Sequence, residues 1–327
     1  MFTQRRHFLQ LALGSAASTL PLLGQAQTAD NAKILAGFAA GGTIDTLARR
    51  VATKLSGSYA RSVVVDNRPG AGGQIAISAL KSAAPDGNTL LVTPMSMLGI
   101  YPHTYRKLPY DPVADLTPVS LGVEFDMAFA VGPMVPASVK TVPEFLAWCE
   151  ANKQQANFGS PAPGSVPHFV GVLIGRAGKV ELQHVGFRGS QPAIMDMLGG
   201  QIAAVSAPVG EFLPHVAGGK LRILATSGAK RNKFVPGVPT LVEQGYKDLV
   251  YGEWFGFFLP GKATPEVVQR ANTAVRAALA SNDVIDGLAA MGLDARASSS
   301  TELAALLKAD TERWGPIVKS IGFTAES

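Results

Sequence analysis

The chain has a single cysteine among its 327 residues, Cys149. It can form no internal disulfide, and because it follows Trp148 on a helix-like stretch it reads as a small core residue. Charge is scarce too: charged residues are 16% of the chain and the formal net charge is +5. Only Lys230-Arg231-Asn232-Lys233 forms a basic cluster, which argues against nucleic acid as a partner. The five histidines are scattered, and no two have metal-ligand spacing. There is no Gly-x-Ser-x-Gly elbow. Two near-misses with nucleotide motifs fail on chemistry. In Gly256-Phe257-Phe258-Leu259-Pro260-Gly261-Lys262-Ala263 an alanine stands where the magnesium-holding hydroxyl belongs, and the interior is apolar strand. After Gly70-Ala71-Gly72-Gly73, Ile75 stands where a dinucleotide fingerprint has its third glycine. No cofactor is expected.

Beyond the N-terminus no apolar run reaches the length of a membrane span. The start itself is different. Gln4-Arg5-Arg6-His7-Phe8-Leu9-Gln10 leads into an apolar, small-residue run from Leu9 to Leu23, then Gly24-Gln25-Ala26. A basic start, a short apolar core and a small-x-Ala ending make an export signal over residues 1–26. The paired arginines before Phe8-Leu9 favour the twin-arginine route over an ordinary Sec signal. No cysteine lies near the cut, so no lipoprotein anchor is expected. Cleavage after Ala26 leaves about 300 residues with a net charge of +3, enough for two domains. The mature protein is expected to be soluble and outside the cytoplasm.

The rest of the chain alternates short apolar runs with helical periodicity. Lys33 to Phe38 reads as a buried strand. Ile44, Leu47, Ala48, Val51, Ala52 and Leu55 recur at helical spacing, giving a helix over about 43–56. Between them lie two adjacent glycines. Thr43 is the expected N-cap, and Asp45 suits the first-turn dipole. Such a turn points several backbone N–H groups at one place, which binds anions. Strands follow at Val63-Val64-Val65 and Thr89 to Thr93, with a helix from Ile75 between them. The proline- and tyrosine-rich segment 101–118 reads as an extended surface loop. Val119 to Val131 is a long strand-like run, a crossing between domains. A second α/β series follows: a helix within 138–152, strands ending at Asn157-Phe158-Gly159-Ser160 and over 182–187, a helix over 191–198, strands over 202–205 and 221–225. Val250 to Leu259 is the second crossing, and helices from Thr264-Pro265-Glu266 onward complete the chain. The predicted fold is α/β, with two domains joined by two crossing strands, 27–128 plus 250–327 and 129–249, and a ligand cleft between them at strand carboxyl ends.

Several loops, taken together and in order, resemble one family: the Bug receptors, periplasmic solute-binding receptors of tripartite tricarboxylate transporters. Phe38-Ala39-Ala40-Gly41-Gly42-Thr43-Ile44-Asp45-Thr46-Leu47-Ala48-Arg49 is similar to the family's Phe-Pro-Pro-Gly-Gly-x-x-Asp-x-x-Ala-Arg stretch. Asn67-Arg68-Pro69-Gly70-Ala71-Gly72-Gly73, Pro85-Asp86-Gly87-Asn88-Thr89-Leu90-Leu91, Leu108-Pro109-Tyr110-Asp111-Pro112, Phe187-Arg188-Gly189-x-x-Pro192-Ala193 and Leu198-Gly199-Gly200-Gln201 match further signatures, as do Gly219-Lys220-Leu221-Arg222 and Val238-Pro239-Thr240. The resemblance implies a two-lobed periplasmic binding protein type II fold. It implies a clamp that closes on a small carboxylate and delivers it to two integral membrane transporter subunits, and a chain that acts as a monomer and not as an enzyme.

It also implies where the ligand sits. Two βα turns hold its carboxylate through backbone N–H groups and bridging waters, with no arginine required. The first turn carries Phe38, Ala39, Ala40, Gly41, Gly42, Thr43 and Asp45. The second carries Ser160, Gly164, Ser165 and His168. Ser96, Ser206 and Ala207 complete the candidate set. Asp45 is expected to cap and orient its own turn rather than touch ligand. Ala39-Ala40 replaces the usual prolines, which loosens the first turn. Pro161 and Pro163 remove two backbone donors from the second. Many relatives carry an acid near Ala207 that would favour a ligand amine. Ser206-Ala207-Pro208 has none, which argues for a plain carboxylate. Met95, Met97, Phe125 and Trp254 are candidates for apolar walls or for core. Two other readings stay open: a periplasmic hydrolase using Ser165 and His168, and a sensor accessory that presents its closed form to a membrane kinase.

Overall fold

A computed structural model describes residues 29–216 and 218–325. The export signal expected over 1–26, and its cleavage after Ala26, lie outside the described residues.

The stripe Ile44, Leu47, Ala48, Val51, Ala52 and Leu55 is the buried face of α1 (Thr43–Leu55). It packs on the parallel pair β1 (Ala29–Ala36) and β2 (Ala60–Asn67). Helix α2 (Gln74–Lys81) leads to β3 (Thr89–Pro94), every residue of which is buried. Next come a π-helical turn at Ser96–Ile100 and the short α3 (Tyr101–Thr104). The expected surface loop over 101–118 is narrower: α3 and a strand from Leu116 take its two ends, and 105–115 is irregular. Tyr101 and Tyr110 are buried, and the Tyr110 hydroxyl donates to the Met97 carbonyl, which anchors that end of the segment in the core. Strand β4 (Leu116–Val131) is 16 residues long.

The second series runs α4 (Val142–Ala151), β5 (Asn157–Ser160), α5 (Val166–Ala177), β6 (Gln183–Gly186), α6 (Ser190–Leu198), β7 (Ala204–Pro208), α7 (Val209–Val216) and β8 (Arg222–Thr226). The chain returns through β9 (Gly252–Pro260) and closes with α8 (Pro265–Leu279), α9 (Asn282–Ala289), β10 (Asp294–Ala295) and α10 (Ser300–Ile321). Helix α7 is absent from the sequence reading. Its eight residues include Gly210 and Pro214 and follow directly on Pro208, which hides the helical period.

The strands form one continuous sheet in the order β2-β1-β3-β9-β4-β7-β5-β6, with β8 and β10 also on β4. The pairs among β1, β2 and β3, and among β5, β6 and β7, are parallel, as the βα alternation requires. Strands β9 and β4 are antiparallel to their neighbours. Strand β4 belongs to both halves of the sheet. Up to Asp126 it pairs with β9; from Met127 onward it pairs with β7, and from Ala128 also with β8.

Ser227 sits where the partner changes. Its N–H donates to the Met127 carbonyl at 2.9 Å, and its carbonyl accepts from Tyr251 N–H at 2.9 Å. Its hydroxyl accepts from Met127 N–H at 3.0 Å and donates to the Tyr251 carbonyl. One buried serine therefore ties the outgoing and returning chain together. A third link is the C-terminal end of α10: Arg176 of α5 donates to the Ser320 carbonyl at 2.8 Å, and Phe323 lies edge-on to His168 with ring centroids 4.7 Å apart.

Ser227→Ala removes the hydroxyl and leaves a buried Met127 N–H and Tyr251 carbonyl each one partner short. A lost buried partner costs about 1–3 kcal/mol, so the stability read from urea unfolding should fall by that amount. Unchanged stability would mean that solvent replaces the hydroxyl at this junction.

Candidate functional site

The first turn is built around Asp45. Gly41 adopts φ +92°, the left-handed region open to glycine, and this aims its N–H back at the helix. The Asp45 carboxylate accepts from Gly41 N–H at 2.9 Å, Arg49 Nε at 2.8 Å and Asn67 Nδ2 at 2.9 Å. Burial alone would raise its pKa; the bonds from Arg49, Gly41 and Asn67 outweigh burial and hold the carboxyl below its ordinary value. The N-cap of α1 is Gly42 and not the expected Thr43, which is the first helical residue. Thr43 is therefore free to serve another partner. Its N–H and its hydroxyl both donate to Glu211 Oε1, each at 2.9 Å. Glu211 is on the first turn of α7, in the other half of the sheet, and its Oε2 accepts from Gln191 Nε2 at 2.6 Å. Gly210 permits the approach: a Cβ there would fall 1.6 Å from the Met291 carbonyl oxygen, just beyond α9.

The second turn mirrors this arrangement. The Val166 N–H, at the start of α5, donates to Ser96 Oγ at 3.0 Å. Ser96 in turn donates to Glu253 Oε1 through its hydroxyl, and through its N–H at 3.0 Å. Glu253 is fully enclosed, and burial pushes its carboxyl up to about 7 against the lowering effect of the two Ser96 bonds. The Gly164 N–H donates to His168 Nδ1 at 3.0 Å, and the Ser165 hydroxyl donates to the Ala162 carbonyl. His168 packs against His184 with ring centroids 3.9 Å apart and the rings tilted by 32°, and Ser160 Oγ lies 2.8 Å from His184 Nε2. Burial holds both rings neutral, pushing His168 down to about 3 and His184 to about 4.

Between the two turns lies a cavity lined from both halves of the sheet. It is a partly open cleft with a cavity volume of about 80 Å³. Of the expected residues, Phe38, Ala39, Ala40, Gly42, Thr43 and Ser165 line it. Gly41, Asp45, Ser96, Ser160, Gly164, His168, Ser206 and Ala207 stand outside the lining, most of them as partners behind it. Met97 is a wall; Met95, Phe125 and Trp254 are core, and Phe255 takes the place beside Phe125. Sequence reasoning missed Arg188, Gln191, Glu211 and Glu253, all of which line the cavity. Arg188 was legible inside Phe187-Arg188-Gly189. Glu253 was legible as the one charge in an apolar strand. Glu211 had no signal, because its helix was unread. Ser206-Ala207-Pro208 carries no acid, but Glu211, four residues beyond Ala207, brings a carboxylate to the cavity. Arg188 is the one cation in the lining and makes no ion pair among the described residues.

Ser165 and His168 are bonded to different partners, which gives the hydrolase reading no nucleophile–base pair. Among the described residues no three His, Cys, Asp or Glu side chains are grouped to hold a metal ion, and no helix is long and apolar enough to cross a membrane.

A family model described as the tripartite tricarboxylate transporter family receptor matches residues 47–323. The chain belongs to that family. It is a solute-binding receptor of the Bug type and not an enzyme. Protein BugT of Bordetella pertussis is 29% identical over 311 residues, 95% of this chain and 95% of BugT. A protein of Cupriavidus necator, described as a UPF0065 protein in the gbd 5' region, is 30% identical over 331 residues, 98% of each chain. Among solved structures, Rpa4515 of R. palustris with adipate superposes with a TM-score of 0.85 at 28% identity, covering 91% of this chain and 98% of that one. MatC from Rhodopseudomonas palustris with bound malate gives 0.81 at 29% identity, covering 88% and 98%.

Glu253 gives the receptor a pH signature. Its folded pKa lies above the unfolded carboxylate value, so the stability it contributes is full below about pH 4.5 and is lost as pH rises through about 7. Glu253→Gln should match the wild type near pH 4 and exceed it at pH 8 by roughly 3 kcal/mol, the free-energy equivalent of raising a carboxyl from 4.5 to about 7. Urea unfolding at the two pH values checks this; parallel curves would show that Glu253 is not held protonated.

Proposed function

We propose that this receptor captures a small carboxylate in the cavity between its two turns and delivers it to the membrane subunits of a tripartite tricarboxylate transporter. The observation that carries the reading is the cavity itself. It is small, it is lined from both halves of the sheet, and it is flanked by two helix N-termini with Arg188, which makes no ion pair among the described residues, on its wall. Helix N-termini and an unpaired guanidinium attract anions. The malate and adipate held by MatC and Rpa4515 are small dicarboxylates.

The moving parts in this reading are a lobe of residues 27–128 plus 250–327 and a lobe of 129–249, hinged near Met127 and Ser227. The ligand touches both lobes only when they are closed, so binding shifts the population toward closure. The mature protein works as a periplasmic monomer after loss of its twin-arginine signal at Ala26, and it meets two integral membrane partners. Thr43 and Ser165 stand at the ligand; Asp45, His168, Gly41 and Gly164 hold the turns in shape; Ser96 links them; Ser206 and Ala207 back the strand end.

Thermal unfolding of the mature chain against mono-, di- and tricarboxylates, aromatic acids and amino acids tests the reading. A ligand at a hundred times its Kd stabilises by about 2.7 kcal/mol, a clear rise in Tm. Such a rise with one class of plain carboxylate is the expected result. No rise with any acid, or a rise with amino acids alone, would overturn it.

A further inference from the structure

We propose that Glu211 is a built-in competitor for the ligand. Its carboxylate occupies the amide site at the start of α1, and a ligand carboxylate binds there by displacing it. This rests on the reading of the cavity as a carboxylate site.

Two protein carboxylates answer the first turn, and they differ in kind. Asp45 belongs to α1 itself, is fixed by Gly41, Arg49 and Asn67, and stands outside the cavity lining. Glu211 comes from the other half of the sheet, lines the cavity, and holds Thr43 through the N–H and hydroxyl that an incoming carboxylate would use. Its remaining partner, Gln191, is on its own half and also lines the cavity. Opening the cleft separates Glu211 from Thr43, whereas Asp45 stays in place. Glu211 is therefore the anion that can be exchanged.

The exchange also bears on selectivity. Two carboxylates cannot share one pair of donors at hydrogen-bond distance without strong repulsion. A monoacid has one anionic group with which to displace Glu211. A diacid brings a second group that Arg188, the cation of the lining, can receive as Glu211 leaves. The site thereby favours diacids over monoacids of similar size. The apparent Kd is the intrinsic Kd divided by the fraction of molecules in which the Thr43 donors are vacant, so removing the competitor tightens binding.

Titrations of wild type, Glu211→Gln and Glu211→Ala with malate, adipate, acetate and aspartate, read by calorimetry at neutral pH, test this. Glu211→Gln keeps the shape and removes the charge, its amide donating to Gln191 once the Gln191 side-chain amide turns over, and it guards against loss of fold, which the unfolding midpoint checks. Both variants should bind the diacids at least tenfold tighter than wild type, and the advantage of diacid over acetate should shrink. Equal or weaker diacid binding in a folded Glu211→Gln protein would overturn the inference while leaving the carboxylate receptor intact. If wild type binds aspartate and Glu211→Gln loses it, Glu211 is the partner of a ligand ammonium and not a competitor. If neither wild type nor variants bind any acid, the carboxylate reading falls and the inference with it.

Discussion

Amide groups at the start of a buried helix need an acceptor, and this protein supplies acceptors from across the cleft. Glu211 of the second half answers Thr43 at the start of α1; Ser96, backed by Glu253 of the first half, answers Val166 at the start of α5. Each half thus completes a helix terminus of the other. Hydrogen bonds to charged groups contribute about 1.5–3 kcal/mol each, and a micromolar ligand binds with about 8 kcal/mol. Contacts of that size are within the range a bound ligand's own interactions can offset.

Everything that positions these contacts follows from a sheet shared between two halves. Strand β4 changes partners at Met127, where Ser227 joins it to the returning chain at Tyr251. The two turns face each other because β1 and β5 are each the parallel strand of a βα unit and end at the same cleft. Gly210 then brings the α7 backbone against Met291, which sets how near Glu211 stands to Thr43. Behind the second turn, the packed His168 and His184 are held neutral by burial, so they brace the turn without adding charge to the cavity.

The family explains the scaffold, and local residues set this member's cavity walls. Alanines at 39 and 40 stand exposed at the cavity, where they leave space that proline rings would fill. Pro161 and Pro167 line the opposite wall without offering N–H groups.

Much of the fold was legible in the chain. The periodic stripe of α1, the Gly41-Gly42 turn, the long runs that became β4 and β9, and the Thr264-Pro265-Glu266 start of α8 are local patterns, and local patterns decide local structure. The order of the signatures determined the family. The first turn was read correctly as a turn and incorrectly at its cap, because Thr43 and Gly42 are both acceptable there until a partner for the threonine is known. Helix α7 was not legible: Gly210 and Pro214 break the helical period, and only packing against β4, α6 and the Met291 backbone makes a helix of those eight residues. With α7 went Glu211, which lies 168 positions along the chain from Thr43. The sequence by itself determined most of the elements, α7 excepted, and the class of receptor, since those depend on neighbours along the chain. Which carboxylates face the cavity was decided only by the tertiary structure, since that depends on contacts between residues the chain holds far apart.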